Sequence, residues 1–260
     1  MIHFPPLRMH RMTVQLKELS IGESIAIAAM PPHLEQAECT AFLRGAVERV
    51  DGPEHLKDPA VWTVQERIFA VGHYMAATTE DGPDFALGRG HYSDYLNVSG
   101  QAEEPDAPTE PVPIGEAGGD QWRIRSLTGR MAEAIERLQG EVKDARGEAL
   151  PVKFHWILGA MAAQLVRPGE TTGPEGMSEG DYDKRLAERM RIFLAFPETD
   201  FTALAALFFN GMRRIAHFFD IEFTREGIVV LPKEGAAGDL PPARFPVRAS
   251  ISPFAAGMGR

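Results

Sequence analysis

Leu16-Lys-Glu-Leu-Ser-Ile-Gly-Glu-Ser-Ile-Ala-Ile-Ala-Ala-Met-Pro-Pro32, followed by His33-Leu-Glu-Gln-Ala-Glu-Cys-Thr-Ala-Phe-Leu-Arg-Gly45, reads as two consecutive helices. Ser20 is an N-cap, and Glu23 three residues on completes a capping box. Ile21, Ile25 and Ala28 or Ala29 share one face. Pro31-Pro32 ends the helix, because the residue before a proline avoids the helical region. The second helix is expected to run to about Val50, turning Leu34, Ala41, Phe42 and Val47 inward.

Helical spacing continues along the chain. Asp58-Pro59 starts a helix that carries Val61, Val64, Ile68, Val71 and Met75 on one face. Ser126, Leu150-Pro151 and Ser178 with Asp181 open three more. Pro197 separates the last of these from Phe201 to Phe219, the most apolar helix predicted, a core or interface helix. Ile221 to Leu231 predicts a β-hairpin with Gly227 in the turn. The expectation is a mainly α, multi-helix globular protein with a small C-terminal β-hairpin and extended Pro/Gly-rich arms.

The arms follow from composition. Gly100 to Asp120 holds four prolines, four glycines, six carboxylates and no basic residue. It is read as an acidic connector with too little apolar surface to offset its ordering entropy. Pro232 to Arg260 contains five prolines and is read as a non-helical arm lying along a neighbouring surface, with a frayed tail as the alternative. Phe245, Val247, Ile251 and Phe254 are its expected partner-binding anchors. The predicted organisation is a helical unit over 1–99, the connector over 100–120, a second helical unit with the hairpin over 121–231, and the arm over 232–260.

With 260 residues, 44% of them apolar, the chain can bury a sizeable core. Its 27 basic and 37 acidic residues give a net charge of −10. That balance disfavours nucleic acid or an anionic membrane as partner; Arg123-Ile-Arg125 and Arg213-Arg214 are too short to reverse it. No stretch reaches the roughly 18 apolar residues that span a bilayer. Cys39 is the single cysteine, so neither an internal disulfide nor a multi-cysteine zinc site is expected. The eight histidines are scattered, and His73 and His217 fall within predicted helices. No P-loop, nucleophile elbow or zinc-protease motif is present, and no cofactor or metal is expected. The best local candidates for chemistry are Asp81, Asp84, His91 and Asp94, around an aromatic, glycine-containing loop. Turn formation competes with an acid/base or cation-binding role there.

Leu19-Ser-Ile-Gly-Glu23 and Phe42-Leu-Arg-Gly45 resemble small proteins encoded in the tail-gene region of tailed bacteriophages and prophages. Trp62-Thr-Val-Gln-Glu-Arg-Ile-Phe69, Tyr92-Ser-Asp-Tyr-Leu96, Gly227-Ile-Val-Val-Leu-Pro-Lys-Glu234 and Pro242-Ala-Arg-Phe-Pro246 do so as well. The resemblance is to tail assembly chaperones and to baseplate or tail-hub proteins. It extends over the larger part of the chain without a diagnostic motif, and no functional residue is carried over. It implies a non-enzymatic morphogenesis protein that contacts other tail or baseplate proteins, in the host cytoplasm during assembly or in the virion. The competing expectation is a cytoplasmic bacterial enzyme or regulator with a site near Asp84 to Asp94.

Overall fold

The computed structural model describes residues 2–97, 107–170, 173–236, 238–251 and 253–258. It corrects the expected fold class. Helix makes up 44% and strand 18%, the strands lying in four small sheets among the described residues. The chain is mixed α/β rather than mainly α with one hairpin. Two compact units account for it. The first comprises Met1–Pro105, His217–Glu222 and Val229–Arg260, and the second Asp106–Ala216 and Phe223–Ile228.

In the first unit, β1 (Leu7–Met9) and β2 (Met12–Leu16) form an antiparallel pair in which Leu7 faces Val14 and Met9 faces Met12. Helix α1 (Ile21–Ala28) opens at Ser20 with the capping box expected of Ser20 and Glu23. Helix α2 (Glu35–Ala46) passes directly into β3 (Val47–Asp51), which pairs with β2. The sequence reading continued that helix to Val50. Four residues with one buried valine fit either period, and pairing to β2 decides for the strand. Helix α3 (Val64–Thr78) starts later than Asp58-Pro59 suggested. Those two residues open a 3-10 turn, and Thr63 with Glu66 forms the true capping box. A two-residue ladder, β4 (Ala86–Leu87) with β5 (Gly90–His91), completes this part.

The second unit begins inside the predicted acidic connector. Residues 100–106 of that connector lie outside the described residues. Farther along it, Val112–Ala117 is a strand, β6, paired with β7 (Asp120–Ile124). Gly118 and Gly119, both with positive φ, form the two-residue turn that matches strand twist. Average composition hid this hairpin because its glycines read as breakers. Strand β8 (Leu165–Val166) adds to β7 directly after helix α5 (Val152–Gln164). Helix α4 (Gly129–Arg137), capped by Thr128 rather than Ser126, packs with α5 and with α6 (Glu179–Leu194). Helix α7 (Glu198–Arg214) lies on β6. A Cβ at Gly211 would stand 2.7 Å from Ile114 Cγ2, so only glycine permits that approach. Helix α7 is shorter than predicted: Phe218 and Phe219 lie beyond it, in the first unit's core.

The hairpin expected at Ile221–Leu231 is present as β9 (Ile221–Thr224) and β10 (Gly227–Val230). The arm that follows is not an extended, non-helical segment. Val247–Ser250 is a 3-10 turn and Pro253–Met258 is a short helix, α8. Proline is tolerated there because it occupies the first helical position. Val247 and Ile251 are buried in the first unit's core. Arg248 Nε donates to both oxygens of Glu38, at 2.9 and 3.0 Å, and Nη1 donates to Ala28 O at 3.3 Å.

That ion pair ties the C-terminal segment to α2. The Glu38 side chain is 3% exposed. Truncation after Leu231 would remove Arg248 from Glu38 and strip Val247 and Ile251 from the first unit's core, uncovering the apolar side chains they pack on. The truncated chain is expected to lose the first unit's cooperative thermal transition. A melt matching the full-length protein would contradict this.

A second prediction concerns pH. His155 is buried, and its Nε2 lies 2.7 Å from Ile135 O. A carbonyl can only accept, so Nε2 carries the proton, and Nδ1 has no partner among the described residues. Burial holds this imidazole below its ordinary range, with the Ile135 bond opposing. Below the ordinary value of 6.5 the unfolded chain therefore binds the proton more readily than the folded one. The contribution of His155 is intact above that value and is lost as pH falls, at most roughly 1.4 kcal/mol per pH unit. Urea melts between about pH 7.5 and 5.5 should show a shallower slope for His155→Gln than for wild type. Equal slopes would refute the assignment.

Candidate functional site

The Asp84–Asp94 loop was the candidate for chemistry, and its geometry is that of a built turn. Asp84 Oδ1 accepts from Ser93 N at 2.7 Å and Oδ2 from Ser93 Oγ at 2.9 Å. Asp94 Oδ2 accepts from His91 N at 2.8 Å. His91 Nδ1 lies 3.1 Å from Asp84 O and is therefore the protonated nitrogen. Both carboxylates thus serve neighbouring N–H and O–H groups, as aspartate does in turns. No group of three or more His, Cys, Asp or Glu side chains able to hold a metal occurs among the described residues. Beneath the loop, Tyr92 stacks on Phe85 with centroids 5.1 Å apart. A Cβ at Gly72 would meet the Tyr92 ring at 2.7 Å. Burial raises the Tyr92 phenol well above its ordinary range, so it stays protonated.

The structure separates the four expected partner-binding anchors. Phe245 is half-buried, its ring 5.8 Å from those of Tyr92 and Phe219. Val247 and Ile251 are buried with it. Phe254 alone of the four faces outward, 66% exposed. It lies on α8, which packs against α1, and the first residue of α1, Ile21, is 52% exposed. In the second unit, Ile192 on α6 and Phe209 on α7 are the exposed large apolar side chains among the described residues.

Sequence reasoning passed over the start of α3. Thr63, Gln65, Glu66 and Arg67 are all buried. Gln65 Oε1 accepts from the backbone N–H groups of His217, Phe218 and Phe219 at 2.9, 3.1 and 3.2 Å. Glu66 caps Thr63 N at 2.7 Å and accepts from Arg11 Nε at 2.9 Å. Arg67 Nη2 donates to Gln36 O and to Thr40 Oγ1. Thr63 Oγ1 lies 2.9 Å from His217 Nε2, the spacing of a nucleophile and its base. The same oxygen also accepts from Glu66 N, and both side chains are buried. The contact is a helix cap tied to a neighbouring segment. Thr63-x-x-Glu66 was the legible signal; the burial of its neighbours was not. Cys39, in α2, is half-buried, and His73 Nε2 lies 2.8 Å from Pro5 O.

No protein-family model, no curated protein and no solved structure matches this chain.

Proposed function

We propose that this chain is a non-enzymatic morphogenesis protein of tailed bacteriophages that acts in tail or baseplate assembly by contact with other proteins. The observation that carries the reading is the outward placement of Phe254 and Ile21 on the packed pair α8 and α1. Large apolar side chains left outward on neighbouring elements are the usual anchor of a protein contact. The resemblance of Leu19–Glu23, Trp62–Phe69 and Pro242–Pro246 to tail-region proteins supports the kind of partner. The internal commitments of Asp84, His91 and Asp94 support contact over chemistry at that loop. No helix among the described residues is long and apolar enough to cross a membrane. The protein acts in the host cytoplasm during assembly, or as part of the virion.

Phe254→Ser tests this. Its ring is outward, so circular dichroism and thermal melting should match wild type. Co-purification with other tail or baseplate proteins should fall at least about tenfold, the effect of losing one central aromatic anchor. Mass spectrometry of purified particles from the cognate phage distinguishes a virion component from an assembly factor. Undiminished association of the Phe254→Ser protein would remove this face from the assembly role.

A further inference from the structure

In the second unit, four arginines converge on Glu170, Glu175 and Met177, which precede α6. Arg125, at the end of β7, bonds Glu175. Arg130, on α4, bonds the Met177 carbonyl. Arg185, on α6, has Nη1 3.8 Å from Met177 Sδ. Arg189, also on α6, bonds Glu170 and donates to Leu165 O. Two carboxylates thus answer four guanidinium groups, in a chain whose net charge is −10. Arg130 and Arg185 rest on a carbonyl and a thioether, acceptors without net charge, and a thioether is a weak one.

Near these arginines lie hydroxyls without hydrogen-bond partners among the described residues. Tyr182, Arg185 and Arg189 are spaced three and four apart on α6 and share one face. Tyr182 is 1% exposed, and its hydroxyl has no hydrogen-bond partner among the described residues. Burial raises this phenol well above its ordinary range, so its hydroxyl keeps a proton to donate. Ser126 Oγ, next to Arg125, is likewise buried without a partner. A buried hydroxyl left unpaired costs free energy that a bound acceptor would return.

The two carboxylates differ. The Glu170–Arg189 pair is mostly buried, and Arg189 is also tied to backbone. The Glu175 side chain is 61% exposed, and an ion pair open to water is weak and readily exchanged. We propose that Arg125, Arg130 and Arg185, with the Tyr182 hydroxyl, form a seat for a phosphate dianion, free or as an ester, and that Glu175 is its internal competitor. Guanidinium groups match phosphate oxygens in geometry as well as charge. Exchange needs only the Glu175 side chain to swing out.

The test is calorimetric titration of the full-length protein with inorganic phosphate, at ionic strength held constant with chloride. Glu175→Gln should bind inorganic phosphate about tenfold more tightly than wild type, because the competitor's charge is gone. Arg185→Gln and Arg130→Gln should each weaken binding about tenfold or more. Tyr182→Phe should weaken it a few-fold. Titration with glycerol phosphate separates the sources: tighter binding than inorganic phosphate assigns the seat to an ester, and weaker binding assigns it to the free ion. If the arginines only brace the loop, Glu175→Gln gains no phosphate affinity, and that result overturns the proposal. Glu175 is exposed, so this variant decides even if an arginine variant fails to fold.

Discussion

The first turn of α3 places four polar side chains out of water, and what they bond organises the first unit. A buried amide oxygen or carboxylate is tolerable only when its partners are present. Gln65 finds them in three successive backbone N–H groups of His217 to Phe219. One side-chain oxygen thus gathers three successive N–H groups. Glu66 finds them in its own helix start and in Arg11, from the β1–β2 turn. Removing one partner of such a set costs more than the bond is worth in water, because the other partner stays buried.

The C-terminal segment obeys the same constraint. Glu38 on α2 is a buried charge in the folded chain, and Arg248 neutralises it from 210 residues away. Val247, Ile251 and Ala255 then close over the core of the first unit. The prolines that looked like marks of an extended arm instead shape turns, and one begins a helix. Of the aromatic side chains in this segment, Phe245 joins Tyr92 and Phe219 while Phe254 stays outside, which is why only the latter is available to a partner.

The second unit is organised by close approach and by charge. Gly211 lets α7 reach Ile114 and Ile124, and Gly159 lets α5 reach Ile135. Trp122 and Phe193 meet edge to face, with Arg167 over the first ring and Arg189 over the second. Arginine is suited to this because its weakly hydrated plane stacks on aromatic rings. The same residue type at Arg125, Arg130 and Arg185 instead bonds Glu175 and Met177.

What the sequence alone determined was local. Ser20 with Glu23 and Ser178 with Asp181 set two helix starts, and the β-branched arms around Gly227 set a hairpin, because those signals act within one or two turns of chain. What only the tertiary structure decided was everything that depends on a distant partner. Val47–Asp51 is a strand because β2 is beside it, and Val112–Ala117 because β7 and α7 cover it. Pro246–Met258 folds back because Glu38 needs Arg248. Thr63 to Arg67 lay inside a helix expected to open at Asp58-Pro59, and their burial follows only from the backbone of His217–Phe219 and the side chain of Arg11. The physical reason is common to all: short strands and buried polar groups gain nothing locally, and the free energy that holds them arises only when remote residues meet.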